Sequence, residues 1–307
     1  MKLSDILYGG IILIILSSCI EDDGPSMLPA PANLRASDDY ALTIELDWDE
    51  VAGAESYKIF RREYLSVDDS LAEVGQSEMA FFIDLDVESN TSYEYYVSAY
   101  NGVTGTPSDT VIGTTRRVTT EEAFDVLAEF TGGESYESSS VYELSDVIQS
   151  VIGDQAQASA DLVFLIDNTG SMSDDIYQIQ INLNEIIDAL PSGVRVGVAE
   201  YGDNNEEPFN WYESTPLTTN LDFVKEYINA IQVSRGGDLP ESVYDGLNRT
   251  IDEMNWSSSV QKMIIVIGDA PPLEGIYSNH TLKEVVDKAN EANEANIVTN
   301  LYPILVY

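Results

Sequence analysis

The sequence predicts two folded units in series: an antiparallel β-sandwich over residues 29–116, then an α/β unit over 119–307 with a doubly wound, mostly parallel sheet. Three observations carry that reading. From Leu42 onward, Leu42, Ile44, Leu46 and Trp48 alternate with Thr43, Glu45, Asp47 and Asp49, the period of a half-buried strand. Asp161-Leu-Val-Phe-Leu-Ile-Asp167 and Met263-Ile-Ile-Val-Ile-Gly-Asp269 are instead continuous apolar runs, which suit strands buried on both faces of a parallel sheet. Between and after them, apolar side chains recur with the period of helices.

At the N-terminus, residues 1–18 read as an export signal, with Lys2 before an apolar core from Ile11 to Leu16 that is too short for a membrane span. The core runs into Leu16-Ser-Ser-Cys19, which holds the chain's one cysteine, so no disulfide within the chain is available to either unit. Leu-Ser-Ser-Cys resembles the bacterial lipobox. That resemblance implies cleavage before Cys19, lipidation of Cys19, and the membrane as a partner through the lipid anchor; a lone buried cysteine is the competing reading. Glu21-Asp22-Asp23 resembles the acidic signals that send lipoproteins of Bacteroidetes-type bacteria to the cell surface, and is otherwise a solvated tether. The expected location is the outer membrane, surface-exposed. Residues 19–28, with Gly24, Pro25 and Ser26 and no periodic pattern, read as a flexible tether.

In the first unit the alternation returns at Tyr57, Ile59 and Arg61 and at Tyr93, Tyr95, Val97 and Ala99, spacings that suit a sandwich. Pro31-Ala-Asn-Leu34, Trp48, Tyr57, the Thr91-Ser-Tyr93 corner and Val97-Ser-Ala-Tyr-Asn101 with Pro107-Ser108 resemble a fibronectin type III domain. The inward alternation of Trp48 and the tyrosines points to core packing and away from a carbohydrate platform. Such a module implies a rigid spacer.

Residues 119–153 are not linker-like. Thr119-Thr-Glu-Glu122 is a capping box, Phe124, Leu127 and Phe130 form a stripe ending at Gly132-Gly133, and Leu144, Val147, Ile148, Val151 and Ile152 mark a second helix. Further helices follow from Ile176, Ile179, Leu183, Ile186 and Leu190, from Leu221, Val224, Ile228 and Ile231, from Val243, Leu247, Ile251 and Met254, and from Leu282, Val285, Ala289 and Ala292. Val194-Arg-Val-Gly-Val-Ala-Glu-Tyr201 supplies a strand. Residues 296–307 supply the last, in which Pro303 suits an edge or a bulge.

Asp167 and Asp269 each close an apolar strand, and ligands of open α/β sheets bind beyond the carboxyl ends of the strands. Thr169 and Ser171 follow Asp167 at every second residue, so a carboxylate and two hydroxyls converge. Hard oxygen donors without histidine or cysteine favour Mg²⁺, Mn²⁺ or Ca²⁺ over zinc. The bland alternative is a helix N-cap that satisfies free amide groups. Gly236-Gly-Asp238-Leu-Pro-Glu241 adds a tight loop at a helix start.

On these residues the run from Asp161 to Tyr307 resembles a von Willebrand factor type A domain and its metal ion-dependent adhesion site, Asp-x-Ser-x-Ser, then Thr, then Asp. Asp167, Thr169 and Ser171 match the first part, with threonine in place of the first serine, and Asp269 the last. The middle ligand departs from the pattern: Asp238 is the expected contributor and Glu241 its substitute, and the extra carboxylate makes the site more negative. The resemblance implies one divalent cation, Mg²⁺ first and Mn²⁺ or Ca²⁺ next, and recognition of a protein or glycan ligand, with no chemistry performed. It also gives 119–153 a role. Helix, Thr-Gly-Gly, short strand, helix resembles the family's usual C-terminal end, so those residues are expected to pack on 160–307 and complete a circularly permuted domain; a decayed tandem array is the rival.

With 14 basic and 54 acidic residues the formal charge is −40, which repels phosphate backbones and excludes nucleic acid as a partner. Three function classes remain: a cation-dependent binding or adhesion protein, a structural component of a cell-envelope complex, and a hydrolase. His280, the chain's one histidine, sits in the polar stretch Tyr277-Ser-Asn-His280, where exposure is expected, which argues against a Ser-His-Asp arrangement and hence against an enzyme.

Overall fold

The computed structural model describes residues 26–66, 70–205, 210–233, 240–291 and 297–307. The export signal, Cys19 and the acidic run after it lie outside the described residues.

The first unit is two antiparallel sheets face to face. One has the order β1 (Arg35–Ala36), β2 (Ile44–Asp47), β5 (Phe81–Asp84); the other has β4 (Ala72–Ser77), β3 (Ser56–Glu63), β6 (Ser92–Tyr100), and then β7 (Thr104–Pro107) and β8 (Val111–Thr114), both paired to β6. The core lies between them and contains Ile44, Leu46, Trp48, Tyr57, Ile59, Tyr93, Tyr95 and Val97, with Trp48 and Tyr57 edge to face at 5.2 Å. Trp48 and the tyrosines of the alternating pattern are therefore packing residues. The Tyr93 hydroxyl accepts from the Glu88 amide at 2.9 Å, fixing the corner before β6. Arg61 shares the inward face by ion pairing with the buried Asp84 at 2.8 Å, where Asp84 also accepts from the Tyr95 hydroxyl.

Leu42 departs from the predicted face. The alternation begins at β2; before it the chain bends, and Ala41 and Leu42 pack with Val118 on the core of the second unit. The connection between the units is correspondingly tight. Arg116 holds Glu122 through two nitrogens, at 2.9 and 2.7 Å, in the first turn of the next helix.

The second unit has a six-stranded sheet in the order β12 (Tyr212–Ser214), β11 (Arg195–Tyr201), β10 (Ala160–Asp167), β13 (Gln261–Gly268), β14 (Thr299–Val306), β9 (Tyr136–Ser138). All pairs are parallel except β11 with β12. Alternate side chains of β10 enter two cores. Leu162, Phe164 and Ile166 meet α2 (Leu144–Gln155), α3 (Ile176–Ala189) and α4 (Leu221–Ala230), whereas Val163 and Leu165 meet α1 (Thr120–Thr131), α5 (Val243–Glu253) and α6 (Leu282–Ala289). That double burial is the reason the strand sequences are apolar without a break.

The early segment is part of this sheet. β9 pairs with Ile304–Val306, and Leu144, Ile148 and Val151 are fully buried against the sheet. The capping box forms as its sequence suggests, with Thr119 accepting from the Glu122 amide and Gly132 closing α1 in the left-handed region at φ 71°. The stripe itself needs correction: Phe130 is 60% exposed, while Ala123, Phe124, Leu127, Ala128 and Thr131 are buried. At about 100° per residue the face through Phe124 and Leu127 continues to Ala128 and Thr131, leaving Phe130 on the far side. Gly133 then passes so close to β14 that a Cβ would overlap the Leu301 carbonyl. Pro303 is not on an edge strand as expected; it pairs with Val266 on one side and comes one residue before the β9 pairing on the other. Of the last helix stripe, Ala292 lies outside the described residues. No helix among the described residues is long and apolar enough to cross a membrane.

Candidate metal centre

The site forms where β10 and β13, neighbours in the middle of the sheet, release the chain at their carboxyl ends. Asp167, the last residue of β10, is fully buried; its Oδ1 accepts from the Thr169 amide at 2.9 Å and its Oδ2 from the Tyr201 hydroxyl at 3.3 Å. The chain then turns through a 3-10 segment, Gly170–Asp174. Thr169 begins that turn, but its side chain makes no capping bond, so its hydroxyl is free for the cluster. Thr169 Oγ1 and Ser171 Oγ lie 3.1 Å apart, and Ser171 donates to Asp269 Oδ1 at 2.9 Å.

Glu241 enters from a third segment. Its amide donates to the Pro271 carbonyl at 2.9 Å and its carbonyl accepts from the Leu273 amide at 2.7 Å, which ties this loop to the Gly-Asp-Ala-Pro-Pro turn after β13. Its carboxyl is buried near enough to Asp167 and Asp269 to feel their charges, and Oε2 has no hydrogen-bond partner. The structure thus brings Asp167, Thr169, Ser171, Asp269 and Glu241 together. Asp238 lies outside the described residues. Glu241, which the sequence suggests only as a substitute, is the described residue of that loop that reaches the cluster.

Electrostatics are unfavourable without a cation. Burial, and then the charge of Asp269, push the Asp167 carboxyl up to about 7 against the hydrogen bonds from Thr169. Burial, followed by Asp167 and Asp203, pushes Glu241 up to about 9. Among the described residues none of Asp167, Glu241 and Asp269 has an ion-pair partner, and an isolated buried carboxylate is costly. Nor do any three carboxylate, imidazole or thiol side chains among the described residues form a metal-holding group by themselves. The hydroxyls of Thr169 and Ser171 must complete the donor set. All five side chains offer hard oxygen, and the orphaned Glu241 Oε2 is an open valence for an ion, so the residues fit a small divalent cation.

Tyr201 and Asp203 were missed by sequence reasoning. Tyr201 ends the strand beside β10, so the same strand-end rule that selects Asp167 would have found it. A Cβ on Gly268 would lie 2.8 Å from the Tyr201 hydroxyl, and glycine there leaves that hydroxyl room to reach Asp167. Nor is His280 simply exposed. Its Nδ1 lies 2.6 Å from Oδ1 of the buried Asp245, which also takes hydrogen bonds from Asn204 and Asn279. The imidazole thus serves an anchor on α5 that holds two loops, and among the described residues no serine or threonine hydroxyl is bonded to it.

The pattern of strand-end aspartate, paired hydroxyls and second strand-end aspartate is matched by sequence comparison. Residues 161–301 are a von Willebrand factor A domain. Over 127 residues the chain is 30% identical to the alpha-protein kinase vwkA of Dictyostelium discoideum, covering 38% of this chain and 19% of that protein. Over 174 residues it is 24% identical to integrin beta-5 of Bos taurus, covering 44% of this chain and 22% of that protein. The chain therefore spans about a fifth of the length of either relative. Solved structures similar to the first unit are fibronectin type III-like. One, an Fn3-like protein from Clostridium thermocellum, is 27% identical and covers 30% of this chain and 98% of that one, with a TM-score of 0.27. Asp167, Thr169, Ser171, Glu241 and Asp269 all lie within the matched span, whereas α1, β9 and α2 precede it.

Proposed function

We propose that this protein is a membrane-anchored, divalent-cation-dependent binding or adhesion protein that recognises a protein or glycan through its A domain. The observation that carries this is the cluster of three carboxylates and two hydroxyls at the carboxyl ends of β10 and β13, with no cationic side chain paired to it among the described residues. Asp167, Thr169, Ser171, Asp269 and Glu241 would hold the ion, Mg²⁺ first, with Asp238 able to contribute from the same loop. A bound ion supplies an electrophilic position for an oxygen of the partner. Tyr201 and the Thr169 amide orient Asp167, and the loop bonds of Glu241 hold its carboxyl at the cluster. The match to a region of integrin beta-5 supports a recognition role in place of catalysis.

Cys19 carries the lipid and the fibronectin type III-like sandwich spaces the A domain from an outer-membrane surface. Residues 119–153 are the domain's displaced last elements, a circular permutation; their pairing with β14 and their buried stripe support it.

The test is thermal unfolding of residues 20–307, which retains every described residue, in chelator and then in millimolar Mg²⁺, Mn²⁺ or Ca²⁺, beside Asp167→Ala. A site of about 100 μM affinity at about 1 mM ion adds roughly 1.4 kcal/mol, a shift of a few degrees. The shift should vanish in Asp167→Ala. A folded wild type that no ion stabilises would remove the cation from the proposal, leaving a structural envelope component.

A further inference from the structure

The sandwich and the A domain enclose a cavity of about 180 Å³ at their junction, which shares no residue with the Asp167 cluster. Glu88 and Ser89 reach it from the loop before β6, and Tyr244 of α5, Glu274 and Thr281, the N-cap of α6, face them from the A domain. Ser89 donates to Glu274 Oε1.

Two buried oxygens here are left over. Glu274 is 4% exposed, yet its Oε2 takes no hydrogen bond, and the Arg117 Nε at 3.8 Å is beyond hydrogen-bond reach. Tyr244 is 1% exposed and its hydroxyl has no partner, although it lies near enough to Glu274 and Glu88 for their charges to raise its pKa. Orphaned buried polar atoms are rare because each carries its full desolvation cost. Water would satisfy the phenol, but the Glu274 charge is offset only in part, by the Arg117 ion pair at 3.8 Å. A cation answers both. No basic side chain lines the cavity among the described residues. Burial raises both Glu88 and Glu274 above the ordinary carboxylate range, and the charges of Lys283 on the first and Arg117 on the second offset this only in part.

We propose that this junction is a second cation site, in which Ca²⁺ is held by the carboxylates of Glu88 and Glu274 and the hydroxyl of Tyr244, fastening the sandwich to the A domain. Carboxylate and neutral oxygens drawn from different segments suit the larger, irregularly coordinated Ca²⁺ better than the octahedral Mg²⁺. With two acids, and with Arg117 partly offsetting one of them, the affinity belongs to the weak class of extracellular modules, about 10⁻⁴–10⁻³ M.

Terbium luminescence excited through tyrosine reads the site directly, because Tyr244 and Tyr93 line it. The protein is residues 20–307 carrying Asp167→Ala, which silences the first site. The expected result is one bound Tb³⁺ with sensitised emission that millimolar Ca²⁺ displaces, and that falls to background when Glu88→Gln and Glu274→Gln are added, with circular dichroism unchanged. Glu88→Gln alone, at a partly exposed position, should weaken Tb³⁺ binding at least tenfold and guards against a folding defect in the double change. Without Asp167→Ala, the wild type should bind two ions and the Glu88/Glu274 variant one. Emission absent from folded Asp167→Ala would overturn the junction site and leave the first intact. Emission persisting after both glutamines would place the ion elsewhere, and equally overturn it.

Discussion

Replacing Glu241 by glutamine should stabilise the ion-free protein. The carboxyl is 2% exposed and faces Asp167, Asp203 and Asp269, which with burial raise it from 4.5 to about 9. Between those values the folded protein holds a proton that the unfolded chain releases, so stability is highest below pH 4.5 and falls as pH rises toward 9. At pH 7 the loss is about 2.5 pH units at about 1.4 kcal/mol each, or about 3 kcal/mol. Glutamine fills the same volume and carries no such cost. In chelator at pH 7, Glu241→Gln should therefore unfold about 5–10 °C higher than wild type, with the gap closing below about 1 kcal/mol at pH 5. Added Mg²⁺ should narrow it, because only the wild type exchanges that proton for the ion. Differential scanning calorimetry at the two pH values and across an Mg²⁺ titration reads all three. If the glutamine variant in chelator at pH 7 is no more stable than wild type, Glu241 is not a buried, uncompensated acid and the electrostatic account of the cluster fails.

Gly133→Ala should cost at least about 2 kcal/mol in urea unfolding, because the added methyl meets the backbone of Leu301 and not a yielding side chain. Leu127→Ala should cost about 2–5 kcal/mol while Phe130→Ala stays within about 0.5, separating the buried face of α1 from the exposed one by chemical denaturation. Asp245→Ala should destabilise by about 3–5 kcal/mol, since it strands the donors of Asn204, Asn279 and His280. Hydrogen exchange should then rise in the two loops they hold.

Much of this was legible because burial leaves a period in the sequence. Strands buried on both faces, such as β10, need apolar residues throughout, and the sandwich strands need them at every second position. The strand-end aspartates were legible for the same reason: an acid that terminates such a run has no place in the core. Three features were not. Leu42 continues the alternation in sequence, but a bend before β2 sends it to the other unit, and a bend has no period. Phe130 is apolar at a helical spacing, and only the rotation of α1 against β14 decides that Ala128 and Thr131 take the buried positions. The Asp245–His280 pair joins α5 to a loop 35 residues further on, and polar contacts of that kind follow no local rule.

The place of β9 at the edge beside β14 bears on how the chain is made. Thr131 at the end of α1 bonds to Leu301, a partner 170 residues further on. As the polypeptide leaves the ribosome, α1, β9 and α2 are thus finished long before the strand that receives them. Until then Phe124, Leu127, Leu144 and Ile148 have no sheet to cover them, and the contacts that do so are among the most distant in sequence. Closing such contacts late slows folding and lengthens the interval in which apolar surface can aggregate. The completed sandwich upstream offers this waiting segment a folded neighbour, joined to it through Arg116 and Glu122, throughout that interval.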